Sequence, residues 1–174
     1  MLKQIAILFF VVLDIFPSYA EYIDYPHVEK QSVWNYVITM IDYGDTYTNV
    51  YFWCKDIGNR RREFSKFTYL IDSKGVKHQI QSINGKPLNT DALYIDTNAG
   101  NENSFWITFS VSLSGMNKFS IIDEKTGGFI FKNIRLYSDY AGYANRCQKI
   151  NAHFKSNNTK QKKLLRKDPN FKIE

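Results

Sequence analysis

Two cysteines, Cys54 and Cys147, are the first candidates for chemistry in this 174-residue chain. With only two, they pair with each other, bridge two chains or stay reduced. A zinc site would need histidines at ligand spacing, and His27, His78 and His153 fall in no CxxC or HxxxH pattern. The expected state is a structural Cys54–Cys147 disulfide, worth nominally ~4 to 5 kcal/mol for a loop of about ninety residues. His78 lies near Asp72 and Ser73 across a turn and imitates a triad. A working triad draws its members from separate parts of a fold, so His78 reads as a core or rim histidine. Carboxylates are scattered: Asp42 and Asp45 bracket one turn, and Asp123 and Glu124 open another. Glycosidase chemistry would need two carboxyls roughly 5 to 10 Å apart in a cleft. The oxygen-rich stretch 96–102 lacks the ligand frame of an EF-hand and reads as a polar loop. A P-loop, a GxSxG elbow and a dinucleotide fingerprint are all missing. No catalytic residue, metal or cofactor is expected, and the chain leans towards a non-enzyme.

Binding features are better represented. Arg60, Arg61 and Arg62 form the basic cluster of the body, suited to clamp a carboxylate, sulfate or phosphate through guanidinium forks. Lys160, Lys162, Lys163, Arg166 and Lys167 form a second run near the C-terminus. Formal net charge is +6; the stretch 155–174 carries +5 of it, leaving +1 for 21–154. A nearly neutral body with a basic tail fits capture of a protein or an anionic surface or polyanion, such as lipid headgroups or acidic glycan. A specific nucleic-acid partner is not expected, and peripheral membrane contact would run through the tail. Trp34, Tyr36, Tyr51 and Trp53 would add an aromatic stripe, either core or recognition surface. Asn157 heads the Asn157-Asn158-Thr159 sequon, a glycosylation site only in a eukaryotic producer.

The N-terminus supplies an address. Lys3 precedes an apolar run from Ile5 to Leu13, then Pro17 and the small-residue pair Ser18 and Ala20. That order is a secretory signal with cleavage after Ala20, and the run is too short to span a bilayer. The protein is therefore expected to be secreted or periplasmic. The expected organisation is a signal over 1–20, one β-rich domain over 21–154, and a basic, disordered tail over 155–174. Export into an oxidising compartment is also why the cysteines are expected to be paired.

The elements that must position these groups are mostly strands. Aromatics are 16% of the chain, with 12 Tyr and 13 Phe, which favours β structure. Turn signals at 42–45, 72–75, 84–85, 114–115 and 124–128 separate apolar runs over 33–41, 46–54, 64–71, 76–83, 92–96, 104–113, 118–123 and 129–136. In 104–113, Phe105, Ile107, Phe109, Val111 and Leu113 alternate with smaller polar residues and Trp106, the mark of an antiparallel sheet with one buried face. The loop 42–45 would set Tyr36 opposite Tyr51 and Trp34 opposite Trp53. Tyr140, Tyr143, Ala144, Cys147, Ile150 and Phe154 recur at helical spacing, predicting a helix over about 138–154. A Cys54–Cys147 bridge would fasten that helix over the Val50/Phe52 face.

The expected fold is thus an all-β, antiparallel β-sandwich, jelly-roll-like, of about eight strands with one C-terminal helix. Eight strands and a trailing helix also resemble the lipocalin order, although Val33-Trp34-Asn35 lacks the glycine that precedes the first-strand tryptophan there. That resemblance implies an eight-stranded barrel with an apolar ligand cavity. The function expected is an exported, non-enzymatic binding module for a protein or anionic surface. Its alternatives are a small apolar-ligand carrier, or a secreted hydrolase or toxin that would show a histidine–carboxylate pair in a cleft.

Overall fold

A computed structural model describes residues 20–56, 60–89, 91–97, 102–125 and 128–165; side chains are described throughout these except at 60–62, 97 and 158–165. All of the expected signal over 1–20 except Ala20 lies outside them, as do Arg166 and Lys167. The strands are β1 (Glu21–Asp24), β2 (Pro26–Gln31), β3 (Tyr36–Tyr43), β4 (Thr48–Lys55), β5 (Arg60–Ser65) and β6 (Thr68–Ile71). They continue as β7 (Lys77–Ile83), β8 (Lys86–Pro87), β9 (Ala92–Thr97), β10 (Glu102–Phe109), β11 (Lys118–Asp123) and β12 (Ile130–Ser138), followed by the helix α1 (Tyr140–Leu165). The expected all-β antiparallel fold with a single C-terminal helix is what forms.

One sheet runs β1-β3-β4-β10-β7-β6-β11-β12-β2, and β5 pairs separately with β9. Its two ends meet because β1 and β2 are halves of one stretch of chain bent at Tyr25. That residue takes a left-handed φ of 51°. Its N–H donates to Thr39 O on β3 at 2.8 Å, and its carbonyl accepts from Asp139 N at 2.7 Å beyond β12. β1 therefore pairs with β3 while β2 pairs with β12, and the wall is nearly closed like a barrel. The other corner is β7, whose Lys77–Gln79 half pairs with β6 and whose Ile80–Ile83 half pairs with β10. Strands β6, β7 and β10 lie side by side and β11 returns beside β6, a Greek-key order rather than the next-neighbour order of an up-and-down barrel. Asn84 and Gly85, both at positive φ, make the tight turn from β7 into β8.

Alternation fills the inside. Val50, Phe52 and Cys54 of β4, and Phe105, Ile107 and Phe109 of β10, are almost inaccessible. Phe52 stacks on Phe105 at 5.1 Å, and Phe64 reaches in from β5 to meet Phe105 at 5.2 Å. The separate β5–β9 arm is thus anchored by Phe64, with Leu93 and Ile95 of β9 also packed against the core. Burying side chains of this size stabilises by about 1.5–3 kcal/mol each.

Three expectations are corrected. The first hairpin turns four residues over 44–47, with Gly44 N donating to Tyr47 O, so Tyr43 pairs with Thr48 rather than Met40 with Tyr47. A register shift between Ile38 and Met40 then sets Tyr36 against Cys54 and Val37 against Trp53. Second, α1 continues to Leu165, eleven residues beyond its expected end, so much of the basic tail is helix. An alanine-, lysine- and glutamine-bearing stretch with neither Gly nor Pro after Gly142 has nothing to stop it.

The third correction is the disulfide. Cys54 points into the barrel with Val50 and Phe52, and Cys147 packs outside the wall with Val37, Trp53, Ile150 and Phe154. The helix covers the opposite face of β4 from the one expected, and no bond joins the sulfurs. The wall of the sheet stands between the two side chains.

Candidate functional site

The bend at Tyr25 leaves a defect in the wall. Above it β1 is hydrogen-bonded to β3, but below it β2 has left for β12, so β2 and β3 diverge. Gln31 Nε2 crosses the far end of the gap and donates to Tyr36 O at 2.9 Å and also to Val33 O. Helix α1 lies over the opening, held by Val37, Ile150 and Phe154, which are buried. Between helix and strands remains a furrow of about 490 Å³. Such a volume falls within the ~300–1,000 Å³ usual for ligand sites.

Its floor is apolar, formed by Val28, Val37, Ile38 and Ile150, and its rim is polar and basic. Arg146, Lys149 and His153 rise from one stripe of α1, three and four residues apart. His27 and Trp34 face them from the strand side. Trp34 is 44% exposed, and its ring lies 4.4 Å from that of His153. Burial draws the Arg146 guanidinium below its usual value, against the pull of neighbouring Cys147; guanidinium nonetheless stays charged in proteins. Tyr143, on the same side, is pushed up to about 12 by burial first and by its hydrogen bond to Cys147 second, so its phenol is neutral.

The one carboxylate among the described residues of the furrow is already committed. Asp139 Oδ2 meets His27 Nδ1 at 2.8 Å, while Oδ1 accepts from Gly142 N at 2.9 Å and caps the helix. These bonds, the one from His27 foremost, hold its carboxyl below the ordinary value. The His27 ring stacks on Tyr137 at 5.6 Å. This is the histidine–carboxylate pair in a cleft that a hydrolase would show. At about 1.5 Å of rise per residue, His153 lies some 20 Å along the helix from this pair, too far for the two imidazoles to serve one bond. Among the described residues, serine, threonine and cysteine are missing from the furrow's lining. Two basic side chains above an apolar floor give the arrangement the means to hold an anion.

The residues anticipated for binding are dispersed. Trp34 borders the furrow, and Trp53 lies beneath α1. Tyr36 is 6% exposed inside the barrel against Phe105. Tyr51 sits on the outer sheet face, stacked on Trp106 at 5.9 Å. Arg60, Arg61 and Arg62 form half of the β5–β9 ladder, with their side chains outside the description. Lys160, Lys162 and Lys163 lie on α1 by backbone only, and half-buried Asn157 also sits on the helix. His78 is partly buried, its Nε2 3.2 Å from Asp72 Oδ2. Among the described residues no group of three His, Cys, Asp or Glu is placed to hold a metal, and no helix is long and apolar enough to cross a membrane.

What sequence reasoning missed is the set His27, Asp139, Arg146, Lys149 and His153. Two signals were present: an Asp three residues ahead of Gly142 at a helix start, and the composition of α1. That helix holds Arg146, Lys149, Lys155, Lys160, Lys162 and Lys163 and not one Asp or Glu. The stretch 21–139 before it carries a formal charge of −1, so the positive charge of the molecule is concentrated on one element. Comparison with known proteins adds no relative: no family model, no curated protein and no solved structure matches this chain.

Proposed function

We propose that this is an exported, non-enzymatic binding module that docks on an anionic surface through α1. The observation that carries the reading is the acid-free helix, six Lys or Arg in 26 residues laid across a domain that is otherwise close to neutral. At 1.5 Å per residue such a helix is about 39 Å long, enough to present its cations to an extended surface rather than to one ion. Leu164 and Leu165 at its end offer an apolar foothold beside the lysines. Support for export comes from the secretory pattern of the first twenty residues and from β1 opening at Glu21, the residue that would follow cleavage.

The test is co-sedimentation with vesicles of neutral phosphatidylcholine, with and without phosphatidylglycerol, at low and high salt. Each cation near an anionic membrane contributes about 1 kcal/mol. Lys160→Gln, Lys162→Gln and Lys163→Gln together should thus weaken binding by roughly a hundredfold, since ~1.4 kcal/mol is tenfold. Binding should vanish on neutral vesicles and fall with salt. Equal binding to both vesicle types, or an unaffected triple variant, would overturn the reading.

A further inference from the structure

We infer that the furrow beneath α1 is a separate ligand site for a small amphipathic anion, an apolar body carrying a carboxylate. The two halves of such a molecule match the two halves of the site. The floor of Val28, Ile38 and Ile150 is apolar and adjoins half-exposed Trp34, while Arg146 and Lys149 stand on the rim. Charge complementarity fixes the sign of the head group. Both oxygens of Asp139 are occupied by His27 and Gly142, which leaves two permanent cations without an acidic partner among the described residues of the lining. A guanidinium presents a planar fork of donors that a carboxylate accepts at two points. The site lies outside the barrel, whose interior is filled by phenylalanines. A ligand carried here would therefore enter beside the helix and not through the mouth of a barrel.

The site is independent of the surface reading, because the lysines of that test, 160, 162 and 163, lie beyond the furrow on α1. Titration calorimetry with decanoate below its micelle concentration tests it, alongside decanol and acetate as single-property controls. One site per chain is expected for decanoate, with decanol and acetate each at least tenfold weaker. Arg146→Gln with Lys149→Gln should reduce decanoate affinity tenfold or more without changing decanol. Trp34→Ala, with its fold checked by circular dichroism, should weaken decanoate and decanol alike. The Lys160, Lys162, Lys163 variant should bind decanoate as the parent does. Failure of decanoate to bind, or binding that ignores both furrow variants, would overturn the site. A loss confined to vesicle docking would overturn only the proposed function.

Discussion

Replacing Ile150 with alanine separates the helix from the barrel in energy. Ile150 is 1% exposed and belongs, with Val37 and Phe154, to a small apolar cluster outside the main core. Three such side chains at about 2 kcal/mol each give a gross hold of ~6 kcal/mol, before the cost of ordering the helix is subtracted. Ile→Ala in a packed site costs about 2–5 kcal/mol, a large share of that hold. None of the loss should fall on the barrel, whose core cluster does not include Ile150. Amide hydrogen exchange resolves the two. With a loss of at least ~2 kcal/mol, opening of α1 should rise about thirtyfold, while amides of Val50 and Ile107 keep their protection. Equal acceleration in helix and barrel would refute this, since α1 would then be part of one cooperative unit. A change below about threefold would refute it too, since Ile150 would not be holding the helix.

Two further outcomes follow from the same geometry. Asp139→Ala removes a helix cap and should cost about 1 kcal/mol of helix docking at neutral pH. In the parent, the lowered Asp139 carboxyl contributes stability above the unfolded value near 3.8, and that contribution is lost as pH falls through its folded value. Trp34 fluorescence should therefore report loosening of α1 below about pH 4, with a shallower acid limb in the variant. Thiol titration of chain unfolded without reductant should count two reactive sulfurs. In the folded protein, Cys54 should resist modification, and Cys147, its thiol raised chiefly by burial, should react slowly. A count of zero would restore the disulfide.

Period-two alternation in β4 and β10, and the helical stripe through Cys147, were legible because each depends on a single element's own spacing. Their inside and outside faces came out as the pattern implies, except that Tyr140 at the start of the helix is exposed. What could not be read was which face of β4 the helix would cover, because that depends on how the sheet curls. Both faces of the first hairpin are apolar, so hydrophobicity did not choose between them. The closing strand was missed for a related reason: Glu21–Asp24 and Pro26–Gln31 mix charges with few apolar residues and show neither alternation nor a turn dipeptide at Tyr25. The furrow exists only because of that bend, so it was invisible without it. Its Arg146, Lys149 and His153 were nonetheless visible as letters beside the apolar stripe.

Mapping amide exchange with and without phosphatidylglycerol vesicles tests the central claim most directly. Protection should appear along α1 and next to Trp34, with the outer sheet face around Tyr51 and Trp106 unchanged. Protection centred on that sheet face, with α1 exchanging as before, would contradict it.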